Sequence, residues 1–331
     1  MAKLYRQISY FSVCLLGLPA LSTAGPRGRT LAHALALPGQ TRVAIEPRPV
    51  VPQHRRPDLR VDANLVLVPV SVVDSQNQPV AGLSASTFRV FDDGKEQSIS
   101  RFAMEDMPIS MGIVFDSSAS MVTKVEYAKR GVAELMGASN PDDEFFLVQV
   151  SDRARVSVPW TSSSGEIQNQ LLFTQTHGRT PLLDGVYLAL QYATRSHGKR
   201  RALVIISDGG DNESRYTQSE LRELIKESDV WIYSIGIYSS INPILPEEER
   251  GGPSLLTHLA EDSGGRQLAI TTGEELVQAA ATIGHELRNE YVLGFSPERN
   301  VRDGKYHRLE VKLRTTRHLS LSFKRGYYAP E

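Results

Sequence analysis

Cysteine is almost missing from this chain of 331 residues, with Cys14 the single example. Disulfides therefore cannot staple the fold, and cysteine-based zinc sites or thiol nucleophiles are excluded. No excess of positive charge exists either: 37 Lys and Arg face 38 Asp and Glu, for a formal net charge of -1. A protein that neutralises many phosphates shows a basic surplus or stripe, so nucleic acid is set aside as a partner. Long apolar runs are also lacking beyond the first residues, which leaves no membrane span outside the N-terminal segment. What remains, 40% hydrophobic and 23% charged residues, suits one large or two ordinary globular domains with real cores.

Residues 1–24 read as an export signal. Lys3 and Arg6 supply positive charge, Ile8 to Leu21 is mostly apolar but broken by Gly17 and Pro19, and Ser22-Thr23-Ala24 offers small residues for cleavage. Cys14 lies inside that segment, and Val13 before it is not the small residue of a lipoprotein site. The expectation is an exported protein. An uncleaved N-terminal anchor is the alternative. Residues 25–58, with Pro47, Pro49, Pro52 and Pro57 closely spaced and no periodicity, read as a linker.

Val61 to Val73 is rich in Val and Leu and is followed by the turn-like Asp74-Ser75-Gln76-Asn77-Gln78-Pro79. That pattern predicts a strand and a turn. Phe88 to Phe91 alternates, Asp93-Gly94 suits a tight turn, and Gln97 to Phe102 returns as the second arm of a hairpin. After Pro108 buried strands alternate with helices, which predicts a mainly parallel sheet with helices on both faces. Its strands are expected at Met111–Phe115, Glu144–Val150, Ala202–Ile206, Val230–Ile237 and, at an edge, Gln267–Ile270. Between them Val125 to Met136, Thr180 to Thr194, Leu221 to Ile225, Leu255 to Leu259 and Glu274 to Arg288 carry apolar residues at helical spacing.

The tail reverts to strands at Tyr291–Phe295, Tyr306–Leu313 and Leu319–Phe323, with a turn at Asn300 to Gly304. Two- or three-stranded pieces are marginal alone, so strands from 59–105 and 290–331 are expected to form one small β-sandwich. The α/β region, 106–289, is then an insert whose two ends lie close together.

The strand Ile113-Val114-Phe115 runs into Asp116-Ser117-Ser118-Ala119-Ser120-Met121, which sets Asp116, Ser118 and Ser120 at alternate positions. The loop falls at the carboxyl edge of the sheet, where open α/β folds bind ligands. Two further loops are expected to meet it: Gly178-Arg179-Thr180-Pro181-Leu182, which opens a helix, and Ser207-Asp208-Gly209-Gly210-Asp211-Asn212, which follows a strand. Their carboxylates and hydroxyls are hard oxygen donors, suited to magnesium, manganese or calcium rather than zinc.

The Asp-x-Ser-x-Ser-Met run, the later Thr-x-Leu at a helix start and the still later Asp-Gly after an apolar strand resemble the metal-ion-dependent adhesion site of von Willebrand factor type A domains. The fold class expected is thus α/β, a Rossmann-like domain of this type inserted in the small β-sandwich. The resemblance covers roughly Pro108 to Leu287 and implies five metal ligands: Asp116, Ser118, Ser120, Thr180 and Asp208. It implies that the three hydroxyls touch a magnesium ion (manganese or calcium as alternatives) while the two acids act largely through waters. The weakly neutralised ion would then bind a carboxylate offered by a protein partner, which makes the chain a binding or adhesion module and not an enzyme. Phe88 to Gly94, Glu290 to Phe295 and Gly326 to Ala329 also look like a group of exported bacterial proteins related to this domain.

Other readings of these residues stand beside that one. The metal could serve only to rigidify the loops, leaving a structural envelope or secreted protein; a metal-assisted hydrolase would need a positioned base that no surplus His or Glu motif supplies. Taken singly, Thr180 is an N-cap and Asp208-Gly209 a turn. Asp211 and Asn212 read as a solvated turn, with shaping of the third loop or support of the metal ligands as the alternative, and His177 as an exposed loop histidine near the rim. His285-Glu286 begins like a zinc-protease helix, but Asn289 stands where the second histidine belongs. Gly294-Phe295-Ser296 lacks the closing glycine of a nucleophile elbow and is followed by Pro297, so it reads as a strand end. Glu247-Glu248-Glu249 reads as a solvated charge run.

Overall fold

The computed structural model describes residues 65–104, 107–196, 198, 200–238, 250–297 and 303–330. The expected export signal (1–24), the linker (25–58), the start of the first strand and the Glu247 to Glu249 run lie outside the described residues.

Fourteen strands are named here in chain order. The first four are β1 (Val66–Asp74), β2 (Phe88–Asp92), β3 (Lys95–Gln97) and β4 (Ile99–Met104). Six follow in the α/β region: β5 (Ile109–Asp116), β6 (Glu144–Val150), β7 (Arg155–Thr161), β8 (Arg200–Ser207), β9 (Val230–Ile237) and β10 (Gln267–Ile270). The last four are β11 (Tyr291–Phe295), β12 (Tyr306–Leu313), β13 (Leu319–Phe323) and β14 (Gly326–Tyr328). The helices are α1 (Val125–Gly137), α2 (Ser164–Leu172), α3 (Leu182–Ala193), α4 (Gln218–Glu227), α5 (Gly252–Ser263) and α6 (Gly273–Arg288).

The central sheet has the order β10-β9-β8-β5-β6-β7, parallel throughout except for β7 at the edge. Every residue of β5 and β9 is buried, as a strand covered on both faces requires. Met111, Ile113 and Phe115 point into a core shared with α1, α2 and α6, where Val132, Leu135, Ile167, Leu276 and Ile283 pack. Val114 points the other way, onto a core built with Leu183, Val186 and Leu190 of α3, Leu221 of α4 and Leu256 of α5. The fold is α/β with a mainly parallel, Rossmann-like sheet, as its alternating pattern predicts.

Local chemistry fixes the helix ends. Thr217 and Thr272 each accept a hydrogen bond from the amide three residues on, Glu220 and Glu275, whose carboxylates bond back to the cap amide. Helix α5 carries Pro253 in its first turn and stops at Gly264, whose φ of 96° favours glycine. The edge strand β7 and the helix α2 are not among the expected elements. Arg155–Thr161 lies at the sheet edge, half exposed and interrupted by Pro159, so it shows no continuous apolar run.

Strands from before and after this region pair with each other. β1 lies between β11 and β13, and β4 adds to β11, giving a four-stranded sheet in the order β13-β1-β11-β4. A second four-stranded sheet has the order β14-β12-β2-β3. Both contribute to one apolar cluster with Val68, Val70, Phe88, Val90, Tyr291, Leu293, Leu309 and Val311. Asp93 (φ 47°) and Gly94 (φ 80°) form the tight turn between β2 and β3. The returning arm differs from a simple hairpin: it breaks at Ser98, and β4 continues in the other sheet. Met104, where the chain leaves for the α/β region, pairs with Tyr291, where it comes back.

A three-loop site at the switch point of the sheet

The sheet order reverses between β5 and β8, and the carboxyl ends of those two neighbours carry Asp116 and, one residue past the strand, Asp208. Such a switch point opens a crevice between loops that turn opposite ways. Phe115 is in register with Ile206, so the two acids start from adjacent points of the sheet.

The first loop leaves β5 through Ser117, whose amide and hydroxyl both donate to the carbonyl of Val150, at 2.7 and 2.9 Å. Asp116 turns back on the loop: Oδ1 accepts from the amide of Ser118 at 2.9 Å, and Oδ2 accepts from the Ser207 hydroxyl at 2.6 Å. Ser118 then begins a short 3-10 turn at Ala119–Met121. Its Oγ lies 3.1 Å from that of Ser120, placing two hydroxyl oxygens side by side.

The second loop is laced to the first by main-chain bonds, Ala119 N–H to Gly178 O at 3.1 Å and His177 N–H to Ser117 O at 3.0 Å. Thr180 is held from the third loop: its amide donates to Asn212 Oδ1 at 2.9 Å, and its carbonyl accepts from the Asn212 amide at 3.1 Å. In the third loop Gly209 has a φ of 81°, and a Cβ there would stand 2.6 Å from the Cα of Gly252 in the first turn of α5. Only glycine at 209 lets the third loop pass that close to α5. Asp208 Oδ1 accepts from the Gly210 amide at 3.2 Å, and Oδ2 accepts from the Lys124 ammonium at 2.7 Å.

The three loops named from the sequence are therefore tied into one cluster. Asp116, Ser118, Thr180 and Asp208 are all buried, and Ser120 is half-buried. Asp116 and Asp208 set two carboxylates in one buried region. Burial first, then the charge of Asp208, pushes the Asp116 carboxyl up to about 6. The Lys124 ammonium, itself 13% exposed, is paired with Asp208. Two buried acids, adjacent hydroxyls and a cationic side chain already drawn to them form a hard-oxygen cluster that fits a hard divalent cation.

Several residues of the site have no sequence signal of their own. Ser207 braces Asp116, and Lys124 reaches Asp208 from just before α1; neither belongs to the spacing pattern. Asp211 and Asn212 shape the third loop although Asn212 is exposed: Asp211 Oδ1 accepts from the amide of Leu183 at 3.2 Å and Asn212 holds Thr180. Asp184 does similar work, accepting from the amides of Arg215 and Tyr216. His177 is exposed, with Nδ1 3.4 Å from Asp152 Oδ2. Glu286, of the zinc-protease-like pair, is buried and ion-paired with Arg266. Phe295 ends β11, as a strand end should.

Residues 111–210 match the family model of the von Willebrand factor type A domain, a family of protein-interaction modules. A curated relative, an uncharacterized protein of Borreliella burgdorferi, is 26% identical over 175 residues, covering 48% of this chain and 50% of that protein. The chain thus spans about half the length of the curated relative it matches. Among solved structures, a von Willebrand factor type A protein from Catenulispora acidiphila aligns with a TM-score of 0.47 at 13% identity, over 76% of each chain. Proximal thread matrix protein 1 from the mussel byssus, in a form with a zinc-occupied MIDAS motif, aligns with a TM-score of 0.46 at 16% identity, over 59% of this chain and 49% of that one. The conserved hypothetical protein BatB from Bacteroides thetaiotaomicron aligns with a TM-score of 0.43 at 17% identity, over 54% of this chain and 98% of its own.

Proposed function

We propose that this chain, which carries a von Willebrand factor type A domain, uses the three-loop cluster to hold one divalent ion and to bind, through it, a carboxylate of a protein partner. The observation that supports this most is the burial of Asp116 and Asp208 together at the sheet's switch point, with Lys124 as the only cation bonded to either among the described residues. In this reading Ser118, Ser120 and Thr180 touch the ion, and Asp116 and Asp208 hold its waters and orient the hydroxyls. Magnesium is the favoured ion, with manganese or calcium as alternatives, because it keeps waters readily and leaves an exchangeable place for a partner oxygen.

The loops are already laced by main-chain and Asn212 bonds. That weighs against the alternative in which the ion merely stiffens them. A metal-assisted hydrolase is disfavoured because it needs a positioned base beyond the two acids that hold the ion's waters, and no surplus His or Glu motif in the sequence supplies one.

We further assign residues 1–24 to an export signal and 25–58 to a linker, with 106–289 inserted between the halves, 59–105 and 290–331, of a β-sandwich. The protein then acts outside the cytoplasm, in the periplasm or beyond. Among the described residues no helix is long and apolar enough to cross a membrane. The test is magnesium and manganese calorimetry on wild type and Asp116→Ala, followed by partner capture from an envelope extract with and without chelator. Loss of both ion binding and chelator-sensitive capture in the variant supports adhesion. Equal capture in chelator would refute it.

A further inference from the structure

A second cluster lies away from the three-loop site, at the β2–β3 turn of the antiparallel sheets. His307, near the start of β12, presents Nδ1 to two acids: it is 2.9 Å from Asp93 Oδ2 and 3.8 Å from Asp92 Oδ1. Its Nε2 faces Asp303 Oδ1 at 3.4 Å. The ring stacks on Tyr327, with 5.4 Å between centroids, and its side chain is only 11% exposed.

The far atom of each acid is already occupied. Asp93 Oδ1 accepts from the amide of Arg308 at 2.9 Å, while the Asp93 amide donates to Arg308 O at 2.9 Å. Asp92 Oδ2 accepts from the Tyr327 hydroxyl at 3.2 Å. What is left over is Asp92 Oδ1, a buried carboxylate oxygen with no hydrogen-bond partner, in a residue that is 8% exposed. A buried acceptor without a donor is costly and calls for a missing partner.

Asp92 Oδ1 and the paired atoms Asp93 Oδ2 and His307 Nδ1 all lie within 4.8 Å of one another. With the Nε2 proton directed at Asp303, Nδ1 would set a lone pair against two carboxylate oxygens. One proton on Nδ1 would relieve the contact with Asp93, but at 3.8 Å it leaves Asp92 Oδ1 unserved. A metal ion serves all three. Ligands about 2.0–2.1 Å from a tetrahedral zinc ion stand about 3.4 Å apart, a spacing that falls between the two distances seen here. The carboxylate on the far ring nitrogen repeats the arrangement by which metal-bound histidines are oriented.

We propose that Asp92, Asp93 and His307 bind a zinc-class divalent ion, with Asp303 as the positioning residue of the histidine and a fourth place open to water on the exposed Asp93 side. Two carboxylates balance the ion's charge. The imidazole favours zinc over magnesium or calcium, which prefer oxygen alone. The site would knit the β2–β3 turn to β12, residues more than two hundred positions away in sequence.

The test is zinc calorimetry on the full chain carrying Asp116→Ala, which disables the three-loop site and keeps the two separable. One zinc per chain is expected, weakened at least about 100-fold by His307→Gln and about 10–100-fold by Asp303→Asn. Asp93→Asn suits the left-handed backbone at that position and keeps the Arg308 contact, so its expected loss of zinc affinity is not a folding effect. Cobalt(II) should give intense visible absorption from a four-coordinate site, which His307→Gln abolishes. Zinc binding unchanged by His307→Gln, or no zinc uptake by the Asp116→Ala chain, would overturn the proposal and leave an imidazolium salt cluster only.

Discussion

The three-loop cluster and the β2–β3 corner each gather acids around one cationic or basic side chain, but they solve the charge problem differently. At the switch point, Lys124 compensates Asp208 while the other acid, Asp116, is held up to about 6 by burial and its neighbour's charge. At the corner, His307 faces three acids, and Asp93 remains half open to solvent. The first has all four carboxylate oxygens already hydrogen-bonded, so an arriving ion would have to compete with a tethered ammonium. The second is a partly open arrangement in which an ion would supply what an oxygen lacks. Buried acids in a fold therefore need not share a purpose: what matters is which of their atoms are already bonded.

The largest effect should come from separating the two clusters. Asp116→Ala is expected to weaken magnesium or manganese binding at least about 100-fold while leaving zinc uptake intact, and His307→Gln to do the reverse. Calorimetry with each ion on each variant reads the crossing. A single variant that removes both would merge the clusters into one.

Next in size is a packing change that asks whether the two halves of the molecule stand or fall together. Leu293 is fully buried in the core of the antiparallel sheets, and Leu293→Ala should cost about 2–5 kcal/mol in denaturant unfolding. Because Tyr291 pairs with Met104 at the root of the α/β region, one cooperative transition is expected rather than two. Two separated transitions would show that the regions unfold independently.

A smaller change sharpens the competition at the switch point. Lys124→Met should destabilise the metal-free protein by about 1–3 kcal/mol, since it leaves a buried carboxylate oxygen without its donor, and tighten magnesium about tenfold. Melting curves with and without magnesium check both signs. Weaker magnesium binding would mean that the lysine helps the ion rather than excluding it.

The last effect concerns pH. Burial, opposed by Arg200 at 2.7 Å and assisted by Glu286, pushes the Glu290 carboxyl up to about 7. A raised acid binds a proton more readily when folded than unfolded, so its contribution to stability is largest below about 4.5 and is lost as pH rises towards 7. Glu290→Gln should flatten the fall in melting temperature across that window. An unchanged slope would place the dependence on another group.

Much of this architecture could be read from residues alone, and the reasons differ by region. Strands β5, β8 and β9 are continuous apolar runs because both faces are covered, and helices α1, α3 and α6 carry one apolar stripe each. The three-loop cluster is legible because its donors sit at fixed spacing within loops that the sheet must bring together. Lys124 and Ser207 were not, since a side chain's reach across loops leaves no mark in local spacing. The corner cluster was invisible for a stronger reason: Asp92 and His307 meet only through the register of β2 with β12, where Asp92 pairs with Leu309. Asp211 and Asn212 look like solvent-facing turn residues, yet their side chains cap α3 and hold Thr180.

The most direct test of the central claim is water-proton relaxation of manganese bound to the intact chain, titrated with a short glutamate-containing peptide. A partner carboxylate entering an open coordination place must displace water. Relaxation enhancement should therefore fall on peptide addition in wild type, and no such fall should occur in Asp208→Ala or with a glutamine peptide. Manganese that binds tightly but keeps its relaxation unchanged by the acidic peptide would contradict the account.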